Sequence, residues 1–135
     1  MGREIALSTL YSLDFNGVLY NQTGTVDFPT LNEEERESLD VETALFAHYI
    51  IAGTLEHLSE IDGVISRFSI NRPLDKIDII DRNVLRMSVF SILYDKDIHA
   101  SVVITEAVRL SQEYSREVNY KFINGILDSI VKERT

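Results

Sequence analysis

The stretch that decides the fold is Lys121-Phe122-Ile123-Asn124-Gly125-Ile126-Leu127-Asp128. Asn-Gly between apolar residues usually marks a two-residue hairpin turn. Here, however, Phe122, Ile126 and Ile130 lie four residues apart, which is the period of a helix and not of a strand. The pattern therefore predicts one continuous helix across this stretch.

Gly125 stands in the middle of that predicted helix, where glycine costs roughly 1 kcal/mol relative to alanine. A helix that accepts this cost needs a reason, and the usual one is the close approach of another backbone. We therefore predict a structural role for Gly125 in helix packing. Lys121 and Asn124 add polar groups along the edge of the same helix.

Helical spacing extends over the whole chain, and no segment alternates as a strand does. The sequence predicts an all-α protein of about seven helices. Its expected segments are residues 5–15, a long helix from about 33 to 58, and helices at 62–68, 80–94, 101–114 and 119–132, with one turn at 75–78.

Several local signals set the expected helix ends. Asn16-Gly17 predicts a helix stop, and Thr30 with Glu33 fits a capping box. Asp62 and Ser101 are the expected caps of the helices that follow them. The long helix is expected to bury one stripe, made of Val41, Leu45, His48, Ala52 and Leu55.

The composition is that of a globular domain, with 135 residues and 44% apolar content. This length indicates one domain, or two small subdomains that share a core. No segment approaches the roughly 18 apolar residues of a membrane span, and the N-terminus does not read as a signal peptide. The chain has no cysteine, which fits a reducing, cytoplasmic location.

The net charge is −9, from 22 acidic and 13 basic residues, and this balance favours a basic protein partner over nucleic acid. The charges are unevenly distributed, because many acids lie between residues 27 and 62 and most basic residues follow later. A basic patch for RNA is therefore compatible with the acidic total.

Catalytic signatures are missing, so we expect no enzyme, no cofactor and no metal site. The chain has no Gly-rich phosphate loop and no Gly-x-Ser-x-Gly elbow. His48 and His57 are nine residues apart, which is the wrong spacing for a pair of metal ligands on one helix face. His48 is instead expected to be a hydrogen-bonded core residue.

Two charged residues interrupt apolar helices, Arg86 in Val84-Leu85-Arg86-Met87 and Glu106 in Thr105-Glu106-Ala107. A buried arginine without a carboxylate partner would cost several kcal/mol. We therefore expect Arg86 and Glu106 to pair with each other in a structural role.

Taken together, these segments resemble the NusB family of bacterial transcription antitermination factors, and the resemblance covers most of the chain. Its motifs run from Ala6-x-x-x-Leu10-Tyr11, through Asp62-Gly63, Arg72, Val84-Leu85-Arg86 and Glu106-Ala107-Val108, to Lys121–Asp128. The family implies two small helical bundles packed together, here about 1–70 and 71–135, in one domain. It also implies binding of single-stranded boxA RNA together with the ribosomal protein NusE, in the RNA polymerase elongation complex.

The resemblance implies roles for individual residues. Family members typically begin with an arginine-rich arm that contacts RNA, and only Arg3 precedes the first predicted helix here. The residues implied to bind RNA are Arg3, Arg116, Lys121 and Phe122. Those implied to face the ribosomal protein are Tyr11, Asp75 and Asp81. Periodicity alone would place Phe122 in the core.

Three functional interpretations stay open at this point. The first is the antitermination factor that binds RNA and a protein. The second is an RNA-recognition domain related to those of ribosomal RNA methyltransferases. The third is a helical adaptor that binds proteins only, which the −9 charge would suit.

Overall fold

The computed structural model describes residues 1–22 and 26–134, and these form seven α-helices with no strand. The helices are α1 (Gly2–Phe15), α2 (Glu33–Ser38), α3 (Val41–Glu56), α4 (Leu58–Phe68), α5 (Ile79–Tyr94), α6 (Ala100–Tyr114) and α7 (Tyr120–Arg134). Single 3₁₀ turns lie at Leu19–Asn21, Leu74–Lys76 and Glu117–Asn119. The all-α prediction with about seven helices is confirmed.

Helix α5 is the centre of the molecule. It contacts five of the other six α-helices, namely α1, α3, α4, α6 and α7. Ten of its residues are buried, from Asp81 to Ser91, as expected for a helix that is apolar on nearly every side. The boundary expected near residue 70 falls in the connection between α4 and α5, and the division into two bundles stays a prediction.

The long helix expected between residues 33 and 58 is wrong, because the chain breaks at Leu39 and Asp40. Leu39 is extended, and the Asp40 side chain accepts a hydrogen bond from the Thr43 backbone N–H, which starts α3 anew. The capping box before α2 uses Asn32 and Glu35. It therefore lies two residues beyond the expected pair, Thr30 and Glu33.

The buried stripe expected on α3 is also wrong. Its buried residues are Ala47, Ile50, Ile51 and Thr54. Val41 and Leu45 are instead 70% and 64% exposed, so this helix turns an apolar stripe toward solvent. His48 is half-buried and stacks on the ring of Phe28, with the ring centroids 4.3 Å apart.

The expected pairing of Arg86 with Glu106 is wrong, although Arg86 is a structural, ion-paired residue as predicted. Its Nη1 donates to Asp14 of α1 and its Nε donates to Asp62 of α4, each at 2.8 Å. Asp62 is therefore not the cap of a helix but an internal residue of α4. Glu106 pairs with Arg109 at 2.6 Å and with Arg3 at 3.6 Å.

The Arg86 cluster joins three helices and the first connection. Arg86 is 2% exposed, and it also donates to Asn83 and to the hydroxyl of Tyr20, each at 3.0 Å. Burial alone would lower the pKa of Arg86, but its hydrogen bond to Asp62 and the nearby carboxylates raise that pKa overall. The guanidinium therefore stays charged and holds α1, α4 and α5 together.

In the described part of the chain, no helix is both long enough and apolar enough to cross a bilayer.

Candidate nucleic-acid interface

An open groove of about 450 Å³ runs between α7 and the segment that leaves α4. The α4 side contributes Phe68, Ser69, Ile70, Asn71 and Arg72, and the α7 side contributes Lys121, Phe122, Gly125, Ile126 and Ser129. Pro73 lies just after Arg72 and keeps this segment out of a helix. As a result, the segment passes alongside α7 with its side chains available to the groove.

The groove combines a cation, an aromatic ring and a second cation. The Arg72 guanidinium lies over the Phe122 ring, 4.3 Å from its centroid. Lys121, in the first turn of α7, is exposed. Stacking surfaces beside cations are the chemistry by which proteins hold single-stranded nucleic acids.

Periodicity predicted Phe122 to be a core residue, whereas the family resemblance implied that it contacts RNA. Phe122 is half-buried, a position that is compatible with either prediction. The ring packs against the core at one edge while it lines the groove. The structure brings Lys121 and Phe122 together, as expected for neighbours on a helix end. It adds Arg72, which is one of the motifs that resemble the family but is not among the residues predicted to bind RNA.

The close helix contact predicted at Gly125 is wrong. A Cβ added at Gly125 would meet no atom within 4 Å, and the residue is exposed on the groove. Its missing side chain leaves space in the groove and not between helices. A close contact of this kind occurs at Gly53 of α3, where an added Cβ would overlap the ring of Phe90.

The other two expected RNA contacts lie outside the groove lining. Arg116 is exposed in the connection that leads into α7, so it lies near the same end of that helix. Arg3 lies within α1, and its guanidinium is 5.1 Å from the Phe46 ring centroid and 3.6 Å from a Glu106 oxygen. Arg3 is thus engaged with α3 and α6, and the structure does not bring it to the groove.

A second, apolar pocket of about 380 Å³ lies where α1, α5 and α6 meet the chain before α2. Tyr11 lines it and stacks on Phe15, with 5.8 Å between ring centroids. The remaining lining is Met1, Glu4, Ile5, Leu7, Ser8, Leu31, Ile80 and Tyr114. Asp75 is exposed in the turn before α5 and does not line this pocket.

The assignment of Asp81 to a partner-facing surface needs correction, because this side chain is 1% exposed. Its carboxylate accepts hydrogen bonds from Ser111 at 2.9 Å, Ser115 at 2.9 Å and Asn119 at 2.7 Å. Burial is the main reason that the pKa of Asp81 is raised despite these three donors. Asp81 therefore joins α5 to α6 and to the connection before α7.

Comparison with known proteins identifies the family. A model described as "NusB family" matches residues 2–132. The chain belongs to the NusB family. The transcription antitermination protein NusB of Elusimicrobium minutum is 37% identical over 135 residues, which covers 99% of this chain and 93% of that protein. The family is one of antitermination proteins and not of enzymes.

Solved structures agree on the fold. NusB of T. maritima matches with a TM-score of 0.82 and 34% identity, covering 98% of this chain and 89% of that one. A chain in the crystal structure of the antitermination factors NusB and NusE in complex with double-stranded RNA matches with a TM-score of 0.79 and 25% identity. That match covers 98% of this chain and 94% of the other.

The sequence contains one indication that Arg72 lies outside a helix. Arg72 precedes Pro73, and a residue before proline is driven toward extended backbone. An arginine on an extended segment next to an amphipathic helix is well placed to contact that helix from outside. Its stacking on Phe122 in particular required the tertiary structure.

Proposed function

We propose that this protein is a transcription antitermination factor that binds single-stranded boxA RNA together with the ribosomal protein NusE. In this role it acts on the RNA polymerase elongation complex, in the cytoplasm. RNA occupies the groove beside α7, and the protein partner occupies the apolar pocket at Tyr11.

The observation that carries the RNA part is the stack of Arg72 on Phe122 beside exposed Lys121. A base can stack on the outer face of the guanidinium or against the free part of the ring, while Lys121 contacts a phosphate. Gly125 keeps the neighbouring turn of α7 free of side-chain bulk. Arg116, exposed just before α7, adds a further cation for the backbone of the RNA.

The protein part is supported by the pocket at Tyr11 and by charge. The pocket is apolar and open, which suits the insertion of a partner's side chain. Asp75, exposed in the turn before α5, can contribute a charge at the surface. A net charge of −9 favours encounter with a basic partner such as a ribosomal protein. The matched complex of NusB and NusE has a chain of this fold.

The experiment that tests the RNA part is a titration of labelled boxA RNA at several salt concentrations, with and without NusE. We expect Lys121→Ala to weaken RNA binding and to reduce the salt slope by about one phosphate contact, because one cation is removed. Lys96→Ala is the matched control, since Lys96 is an exposed lysine outside the groove.

The same titration with duplex RNA distinguishes single-stranded from double-stranded recognition. We expect the single strand to bind more tightly, because stacking on Arg72 and Phe122 needs an unpaired base. Equal loss of affinity for Lys121→Ala and Lys96→Ala would place the RNA elsewhere on the protein. Tighter duplex binding would contradict the proposed single-strand preference.

Substitution at Tyr11 tests the protein part. Tyr11→Asp places a charge in an apolar pocket, so we expect it to weaken the NusE complex by about tenfold or more, while Tyr11→Phe keeps it. Isothermal titration with purified NusE measures both variants. If Tyr11→Asp folds and binds NusE like the wild type, the partner does not use this pocket.

A further inference from the structure

The whole net charge of the protein originates in one segment. Residues 27–62 contain ten acidic residues and one arginine, so this segment alone carries −9. The remainder of the chain is balanced, with twelve acidic and twelve basic residues. Of the ten acids, Asp62 is held by Arg86 in the interior, but those of α2 and of the start of α3 are exposed.

An apolar stripe lies among these exposed acids. Val41, Leu45 and Tyr49 follow each other at four-residue intervals on α3, and they are 70%, 64% and 45% exposed. This spacing places them on one helix face over about 12 Å. Exposed apolar residues scattered singly are ordinary, but three in line on one helix form a continuous patch.

Acidic groups lie at both ends of this stripe. Asp40 and Glu42 flank Val41, and the exposed Glu33, Glu34 and Glu37 of α2 precede them. Asp95 and Asp97 lie at the other end. Their charges act on the Tyr49 hydroxyl, whose pKa is raised by burial first and then by these two carboxylates.

We propose that this acidic–apolar face of α2 and α3 docks a basic amphipathic helix from a protein partner. The apolar side chains of that helix pack along Val41, Leu45 and Tyr49, and its lysines or arginines meet the acids at the two ends. This docking surface is additional to the RNA groove and to the pocket at Tyr11, and it does not depend on either proposed role.

The charge of this face favours a basic helix over three other possible occupants, namely RNA, an anionic membrane surface and a second copy of this chain. RNA and anionic membrane surfaces carry the same sign as the face and are repelled by it. A second copy of this chain would place one acidic face against another, and like charges across an interface cost several kcal/mol. A helix that is apolar on one side and basic at its flanks satisfies both the stripe and the charges, as in other helix-in-groove contacts.

The experiment uses the full-length protein and a fluorescent helical probe peptide of about 14 residues, whose leucines follow the spacing of the stripe and are flanked by lysines. Two control peptides have glutamate in place of each lysine, or the same composition in scrambled order. Fluorescence anisotropy at fixed ionic strength measures binding. We expect the lysine peptide to bind, the scrambled peptide to bind at least tenfold more weakly, and the glutamate peptide not to bind.

Leu45→Ser then separates docking from general charge attraction, because it removes part of the stripe and leaves every acid in place. We expect it to weaken peptide binding about tenfold. Val118→Ser is the matched control, since Val118 is 69% exposed but lies on the connection before α7, and it should bind like the wild type. Both substitutions are at exposed positions, and thermal melts verify that each variant is folded.

Four outcomes would overturn the proposal. Equal binding of the ordered and scrambled peptides, or equal binding by wild type and Leu45→Ser, would mean that the peptide is held only by nonspecific charge attraction. No binding of the lysine peptide would mean that the face does not accept this class of helix. Self-association in analytical ultracentrifugation that Leu45→Ser abolishes would assign the stripe to a second copy.

Discussion

The interior around α5 and the groove beside α7 use the same two residue types, glycine and arginine, for opposite purposes. In the interior, Gly53 makes room for Phe90, and Arg86 is enclosed by two carboxylates. In the groove, Gly125 leaves open space, and Arg72 lies exposed on Phe122. A glycine in mid-helix or an arginine beside an aromatic ring is therefore structural or functional according to what surrounds it.

The largest expected effect is at Arg86. Arg86→Met should reduce the free energy of unfolding by roughly 3–5 kcal/mol, because it leaves the shielded carboxylates of Asp14 and Asp62 without their shared counter-charge. Urea unfolding followed by circular dichroism measures it. Arg72→Met is the matched control in the groove, and we expect it to leave stability within about 0.5 kcal/mol.

If the two arginine variants lose similar stability, the contrast between interior and groove fails. A further control is Arg109, which pairs with Glu4, Glu106 and Glu113 but is 40% exposed at its side chain. Solvent screens such a cluster, so Arg109→Met should lose only about 1 kcal/mol or less. Arg109 has three carboxylate partners and Arg86 has two, so the number of partners alone would have predicted the larger loss of stability at Arg109.

The second prediction concerns Gly53. Gly53→Ala should destabilise the protein by roughly 1–3 kcal/mol, because the new Cβ would overlap the Phe90 ring and force it to move. The same substitution at Gly125 should be neutral or should stabilise by up to about 1 kcal/mol, because alanine is the better helix former and the space is open. Thermal and urea unfolding of both variants provides the comparison.

The third prediction concerns what the open space at Gly125 is for. Gly125→Leu should keep the fold but reduce affinity for boxA RNA roughly tenfold, about 1.4 kcal/mol, because the side chain fills the groove beside Lys121 and Phe122. Gly63→Leu is the control, since an added Cβ there also meets no atom within 4 Å but the residue lies on α4, outside the groove lining. Unchanged RNA affinity for Gly125→Leu would separate Gly125 from the RNA site.

Much of this fold could be predicted from helical spacing alone. The helix expected at 80–94 is Ile79–Tyr94, and the stop expected at Asn16-Gly17 occurs, with Gly17 at a φ of +72°. Three consecutive glutamates explain the misplaced capping box, because more than one register of the motif fits them. The break at Asp40 was missed, although Asp40 directly precedes Val41, the first residue of the expected stripe, where a helix N-cap normally lies.

The errors at α3, Arg86 and Gly125 have a common physical origin. Helix α3 has two apolar stripes, Val41–Leu45–Tyr49 and Ala47–Ile50–Ile51–Thr54, and only tertiary packing decides which one is covered. The sequence predicted that Arg86 needs a carboxylate partner. Its partners, Asp14 and Asp62, lie in distant segments of the chain, and helical spacing does not show which distant segments pack together. Gly125 was identified as special, yet local sequence does not distinguish a packed glycine from an open one.

The smallest expected effect is a pH dependence of stability that has opposite signs at two aspartates, Asp81 and Asp14. Burial raises the pKa of Asp81 above its unfolded value, so the native state binds more protons at this group just above pH 4. The contribution of Asp81 to stability therefore falls as pH rises through that range.

The pKa of Asp14 is lowered despite burial, by its hydrogen bonds to Arg82 and Asn83 and by the charge of Arg86. The contribution of Asp14 to stability is therefore lost as pH falls. As pH rises above about 4, the ordinary pKa of an aspartate carboxyl, the stability of wild type relative to Asp81→Asn should therefore decrease. As pH rises from strongly acid values to about 4, the stability of wild type relative to Asp14→Asn should increase. Urea unfolding of the three proteins at closely spaced pH values measures both slopes, and slopes of the same sign would show that Asp81 is held as a stabilised carboxylate like Asp14.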